Sequence, residues 1–401
     1  MEFNHQLVFY TFKFLFKNYF TFNPVFMRKL YILMFFLGIV SCNIKEGSSS
    51  ISVDLDQSDK VSIFDLADSI SIVQLETTNE SLFKYISKVI PYKNRFYVFD
   101  KLSLTVFCFD STGKFLFKIN KKGRGPEEYE NVEDIFIDNF NDQLLLLVPW
   151  GYLLTFDLDG DFFSKKKLPE EVLSYNEVYA LNRDTLLFLS RNEYRAIYYS
   201  RRSDSIINKC LGVDEMPEIE YTKGNVYMYN DSLYFSSAGF DNKVLNMSHP
   251  ERRVAYNWDF GKNNLTKKRI SNEMKSRLKA MKEKRSYSML DNFGDDSYPT
   301  FYRSRSLETD RFEMTSVLYK IPFSYLCVFR DKIDGKVKVF RETIEGIQFS
   351  YFLAHDNFLF LYNTGKNKCY SEETLSLKQL EIVKSHNSDT DNPFLVIYHI
   401  K

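Results

Sequence analysis

The stretch Ile86–Ile119, ISKVIPYKNRFYVFDKLSLTVFCFDSTGKFLFKI, holds four short apolar runs separated by turn-forming residues. The first ends at Ile90. Tyr92-Lys93-Asn94 turns the chain into Phe96–Phe99, a second turn leads to Thr105–Phe109, and Asp110-Ser111-Thr112-Gly113 reverses it into Phe115–Ile119. Short runs rich in aromatic and β-branched residues, bounded by Asn, Asp and Gly, predict four antiparallel strands joined by tight turns.

The same order returns in VEDIFIDNFNDQLLLLVPWGYLLTFDLDGDFFSKKKL, residues 132–168, where Phe156-Asp157-Leu158-Asp159-Gly160 matches Phe109-Asp110-Ser111-Thr112-Gly113. Weaker copies of the strand-turn-strand rhythm occupy 178–200, 225–248, 325–342 and 350–363. Four strands recurring every 40 to 50 residues or so are the signature of a β-propeller, whose blades bury their faces against one another. From Val61 onward, with one helical insert set aside, the length accommodates about six such blades. The expected fold is all-β: a six-bladed β-propeller of four-stranded antiparallel blades over residues 60–401. An immunoglobulin-like array would also supply short strands, but the F-D-x-x-G turn one strand before the end of the unit argues against it. Terminal strands left unpaired would expose sheet edges, so Phe394–Ile400 is expected to share a blade with the early strand near Ile70–Leu75.

Composition fits this class. Aromatic residues make up 17% of the chain, with 38 Phe and 27 Tyr against 15 Gly, a balance that favours pleated strands. Lys and Arg number 53 and Asp and Glu 53, so no global field recruits nucleic acid. The widely spaced Cys108, Cys210, Cys327 and Cys369 form no C-x-x-C pair, which leaves no zinc or redox motif, and buried free thiols are expected. One helix is predicted, the insert at about 264–286, where Leu265, Ile270, Met274, Leu278 and Met281 form an apolar stripe opposite a basic face. It reads as a solvated insert packed on a blade. Asp291, Asp295 and Asp296 beyond it lack the spacing of a calcium loop.

Ahead of the propeller, MRKLYILMFFLGIVSCN (Met27–Asn43) sets Arg28 and Lys29 before the apolar run Leu30–Val40 and the small-residue site Ile39-Val40-Ser41-Cys42. This run is too short to span a bilayer, which takes about 20 apolar residues, and it has the layout of a secretory signal. Residues 27–41 resemble a bacterial lipoprotein signal peptide, a resemblance that implies Cys42 as the lipidated residue, the alternative being a short buried helix or an uncleaved anchor; residues 1–26 read as a mis-assigned upstream start. Residues 42–59, polar and serine-rich, are expected to be a flexible tether.

Four stretches, IFDLADSISIVQLET, YVFDKLSLTVFCFDSTGKFLFKI, GRGPEEYENVEDIFID and the terminal DNPFLVIYHIK, together resemble the six-bladed β-propeller lipoproteins of Bacteroidetes, relatives of NHL-repeat propellers. The likeness is dense over about residues 60–160 and returns in the last dozen. What it implies is a fold and a location: a lipid-anchored envelope protein, on the outer membrane, facing the periplasm or the surface. It implies no activity.

Catalytic motifs are sparse. His5, His249, His355, His386 and His399 are the histidines, and no G-x-S-x-G elbow or H-E-x-x-H helix is present. The reading is a monomeric binding or scaffold module for a glycan, peptide or envelope protein, with no cofactor. The alternative is a lactonase-like hydrolase or lyase with a divalent metal in the central channel. Gly123-Arg124-Gly125-Pro126-Glu127-Glu128-Tyr129 suggests a stiffened loop, in which Arg124, Glu127, Glu128 and Tyr129 are the candidate ligand-binding residues. The competing reading is an inter-blade connection whose charges pair locally.

Overall fold

The computed structural model describes residues 49–190, 193–212, 226–236, 242–264, 275, 279, 283, 301–319, 324–349, 353–355, 358–362 and 369–401. The chain divides into two compact units, Met1–Gly47 and Ser48–Lys401, and every described residue belongs to the second. The signal segment, Cys42 and nearly all of the helical insert lie outside the described residues. Among these, no helix is long and apolar enough to cross a membrane.

In chain order the elements are β1 (Ser49–Ser52), α1 (Ile63–Leu66) and β2 (Ala67–Gln74), followed by β3 (Lys88–Tyr92), β4 (Arg95–Asp100), β5 (Thr105–Asp110) and β6 (Phe115–Ile119). Next come β7 (Asp134–Asp138), β8 (Gln143–Val148), β9 (Tyr152–Asp157), β10 (Phe162–Lys167), β11 (Glu177–Ala180), β12 (Thr185–Leu189), β13 (Tyr194–Ser200) and β14 (Ser205–Gly212). Then follow β15 (Val226–Tyr229), β16 (Ser232–Ser236), β17 (Lys243–Asn246), β18 (Arg253–Asp259), β19 (Phe301–Glu308), β20 (Phe312–Tyr319), β21 (Ser324–Asp331) and β22 (Val337–Phe340). The chain closes with β23 (Leu353–His355), β24 (Phe358–Tyr362), α2 (Leu377–Ser385) and β25 (Phe394–Ile400).

These strands form an all-β propeller of antiparallel blades. Five sheets have four strands: β3 to β6, β7 to β10, β11 to β14, β19 to β22, and β23-β24-β25-β2. A sixth sheet, β15 to β18, carries β1 as a fifth, parallel strand on its outer edge. The first strands of the sheets gather at the centre, where β3 approaches β7, β7 approaches β11, β15 approaches β19, and β23 approaches both β19 and β3. Burial follows from this placement. Strands β4 and β5 are buried almost throughout, whereas β6 alternates between more and less exposed positions, as a rim strand with one solvated face should.

The F-D-x-x-G turns have a specific physical basis. Asp110 Oδ1 accepts hydrogen bonds from the backbone N–H groups of Thr112 at 2.8 Å and Lys114 at 3.0 Å, and Asp157 does the same for Asp159 and Asp161 at 2.9 and 2.8 Å. Gly113 has φ +91°, and a Cβ there would lie 2.0 Å from the Gln74 carbonyl oxygen. Only glycine meets both conditions. The rim strands also bulge: Leu116 in β6, Phe163 in β10 and Ile207 in β14 have no partner in the register, and neither do Ala255 in β18 and Asp68 in β2. Such bulges twist the outer edges away from edge-to-edge pairing.

Ring closure matches the sequence expectation. β2 pairs antiparallel with β25, Ile70 opposite Tyr398 and Gln74 opposite Phe394. Asn392 locks the joint. It is fully buried, its amide donates to the carbonyls of Glu76 at 2.8 Å and Ser81 at 2.9 Å, and its Oδ1 accepts from Phe83 N at 3.1 Å. Cys108, Cys210, Cys327 and Cys369 are buried and not joined in disulfides, and burial pushes the Cys108 and Cys327 thiols up to about 12.

Two elements differ from the sequence reading. Residues 49–59, expected to be flexible tether, are bound to the domain: β1 lies on β18, and Asp59 exchanges hydrogen bonds with the Val339 backbone at 2.8 and 2.7 Å. Ile51, Val53 and Leu55 are buried, a two-residue alternation sufficient for a rim strand. Helix α2 was also not anticipated. Its signal is the capping box of Ser376 and Gln379.

Candidate functional site

The predicted loop pairs its charges internally. Arg124 Nε lies 2.7 Å from Glu130 Oε1, and Glu127 Oε2 lies 2.6 Å from Lys121 Nζ. The Glu128 carboxylate turns back to accept from Gly125 N at 2.7 Å, filling the space beside Gly123, where a Cβ would sit 2.0 Å from Glu128 Oε2. Tyr129 is 2% exposed, and its hydroxyl donates to the carbonyls of Leu104 and Ile119 at 2.9 and 3.2 Å. Burial pushes that phenol up to about 12. The four side chains do not converge; Arg124 and Glu127 are exposed, while Glu128 and Tyr129 are turned inward. Tyr129→Phe is expected to cost about 1–2 kcal/mol and Tyr129→Ala about 3–5 kcal/mol, read as shifts in the urea midpoint. Arg124→Ala should leave that midpoint in place.

A charged cluster that the sequence reading overlooked lies at the head of the central strands. In each of the first three blades, the residue before the central strand donates its N–H to the end of the second strand: Ser87 to Phe99 O at 2.8 Å, Glu133 to Leu147 O at 2.7 Å and Asn176 to Leu189 O at 2.9 Å. This shared geometry places Lys88, Asp134 and Glu177 at equivalent positions around the axis. Lys88 Nζ lies 3.0 Å from Asp134 Oδ1 and donates to Ile135 O at 2.7 Å. It also sits 5.8 Å from the Phe136 ring centre and 5.5 Å from that of Tyr179, so one ammonium touches elements of three blades. Tyr179 in turn donates to Glu177 at 2.5 Å. Outside this triple, Lys101 Nζ pairs with Glu133 at 2.8 Å, and Asn176 Nδ2 donates to Glu133 at 3.3 Å.

Topology decides what surrounds the cluster. In a four-stranded meander the turn between the second and third strands leaves from the same end as the connection to the next blade. On that end the B–C turns expose Leu102 (70%) and Trp150 (62%). The inter-blade connections add exposed Leu82, Tyr85 and Leu173, together with the Arg124 loop. Ser174 N donates to Pro149 O at 3.0 Å, which holds Leu173 beside the Trp150 turn. The combination is a partly buried, charged axial mouth bordered by apolar and aromatic side chains. Its chemistry suits a ligand with both polar groups and an apolar face. Among the described residues, no three His, Cys, Asp or Glu side chains converge in a group that could hold a metal ion.

A family model described as "Domain of unknown function (DUF4934)" matches residues 48–399. Comparison with curated proteins finds no match. Among solved structures, the chain is similar to a candidate exported protein of Bacteroides fragilis NCTC 9343, with 18% identity and a TM-score of 0.69 over 88% of this chain and 100% of that one. It is also similar to a member of the DUF4221 family from Bacteroides vulgatus ATCC 8482, with 11% identity and a TM-score of 0.48 over 84% of this chain and 97% of that one. The first likeness supports the fold.

Proposed function

The chain belongs to the DUF4934 family, a family of unknown function, and from that premise we propose that it is an envelope binding module whose ligand lies across the axial mouth of the first three blades. The observation that carries the proposal is the co-location of the Lys88-Asp134-Glu177 cluster with exposed Leu102 and Trp150 on one end of a rigid scaffold. Asp134 and Glu177 are buried and paired within the cluster, as buried charges must be, and Lys88, whose side chain is 26% exposed, is the member left open to a ligand. A glycan or a peptide offers the matching combination of polar groups and an apolar face. The exposed Arg124 and Glu127 extend the same end as outer contacts.

Taken as a blade, the five-stranded sheet supports a six-bladed ring like that of the NHL-related lipoproteins. Cys42 carries lipid, and the protein sits in the cell envelope. The signal layout of residues 27–42 supports this location, as does the candidate exported relative. Cys42→Ala should abolish incorporation of labelled palmitate and release the protein from membranes.

Binding is tested by probing arrays of polysaccharide fragments and short peptides with the purified protein. Trp150→Ala and Leu102→Ala, both at exposed turn positions, are expected to lose capture while unfolding at the wild-type temperature. Capture that survives both substitutions would exclude this mouth as the site.

A further inference from the structure

The attachment of β1 has a consequence for how the propeller stands on a membrane. β1 runs parallel to β18, Ser49 opposite Tyr256 and Ser52 opposite Asp259, so the chain enters it from the side of the sheet where Arg253 begins β18. The segment that follows is fixed along the rim. Val53 N donates to Asp259 O at 2.8 Å, Lys262 Nζ pairs with Asp56 at 2.6 Å and Tyr319 donates to Asp56 at 2.8 Å. Beyond Asp59, Ser62 donates to Glu345 at 2.5 Å and Ile344 N donates to Val61 O at 2.9 Å. The strap thus crosses the edges of the β15–β18 and β19–β22 sheets before β2 enters the closing blade.

We infer that the outer edge of the β15–β18 sheet faces the lipid surface, so that the propeller lies edge-on with both ends of its axis open to the side. The inference rests on the reading of Cys42 as the lipidated residue. Seven residue steps separate Cys42 from Ser49, and fully extended they span about 25 Å. Were the strap free up to α1, the leash would be several times longer. A domain of this length is about 50 Å across, so the leash cannot carry the anchor to the opposite rim. At the strap's entry Arg253 is exposed and Val254 beside it is 39% exposed, with exposed Glu251 in the preceding turn. Edge-on placement leaves the axial mouth unobstructed for a ligand in the surrounding medium.

The test compares two rim positions of similar exposure in the full-length, membrane-bound protein. Val254→Cys lies on β18, and Leu116→Cys, at a position 42% exposed, lies on β6 three blades away. Each is labelled with a thiol-reactive fluorophore, against a background of native thiols that are buried at the described positions, and is challenged with vesicle lipid spin-labelled at the headgroup. Quenching several-fold stronger at Val254→Cys than at Leu116→Cys is expected. A Gly/Ser insert after Gly47 of about 20 residues, with a contour length of about 70 Å, should erase the difference. Equal quenching with the native tether, in protein that does incorporate palmitate, would overturn the orientation alone. Failure to incorporate palmitate would overturn the anchor and the orientation together.

Discussion

Removal of residues 392–401 is expected to abolish cooperative unfolding altogether. β25 is an internal strand of its blade, with β24 on one side and β2 on the other. Phe394, Leu395, Val396, Ile397 and Ile400 are all buried, and at about 1.5–3 kcal/mol each their loss removes about 8–15 kcal/mol. That is comparable to the whole stability of an ordinary domain, about 5–15 kcal/mol. The deletion also takes Asn392, whose side chain satisfies two carbonyls and one N–H in the connection leading to β3, and it leaves β2 with no partner strand. Urea titration followed by tryptophan fluorescence should therefore show a broad drift with no transition. A truncated protein melting as sharply as the full chain would mean that closure does not depend on this pairing. A milder probe, Asn392→Leu, keeps the strand and strands only the polar groups around position 392, so it should shift the midpoint without removing the transition.

The closing strand was legible in the sequence because its run of apolar residues is uninterrupted and its role follows from topology: a ring must pair its ends. The first blade was legible for a local reason, since Asp110 and Gly113 mark a turn whose conformation few other residues adopt. The strap was harder to read. Ile51, Val53 and Leu55 alternate correctly, but they are embedded among Ser and Asp, and a strand burying one face on a rim needs only three apolar positions to hold. The Arg124 loop misled in the opposite direction. Its glycines and carboxylates suggest a ligand cradle, whereas Gly123 makes room for the loop's own Glu128 and Tyr129 serves as an internal pillar. The axial cluster leaves a signal only when blades are superposed: Ser87-Lys88-Val89, Glu133-Asp134-Ile135 and Asn176-Glu177-Val178 put a polar pair ahead of the first apolar residue of each central strand. Read singly, each is an ordinary strand start.

Glu308→Ala is expected to produce a large loss of stability. The carboxylate is buried between the β15–β18 and β19–β22 sheets, with Lys332 Nζ 2.7 Å from Oε1 and the Tyr227 hydroxyl donating to Oε2 at 3.0 Å. Burial pushes the Tyr227 phenol well above its usual range, so it remains a donor, and Tyr256 lies 2.9 Å from it to extend the chain of hydroxyls. Lys332 also donates to Thr309 O at 2.6 Å and sits 4.1 Å above the Tyr229 ring. Desolvation opposes its charge, but the Glu308 carboxylate and Tyr229 together more than offset this and raise its pKa. Removing Glu308 leaves a partly buried ammonium without its counter-charge, at a cost of up to about 3–5 kcal/mol. Lys332→Met on the Glu308→Ala background removes the stranded charge and should recover part of the loss. The double-mutant cycle then separates an ion pair within the β19–β22 blade from a carboxylate whose main partner is the Tyr227 hydroxyl of the neighbouring blade: a coupling energy near zero would assign the effect to the tyrosine and leave the lysine as a bystander.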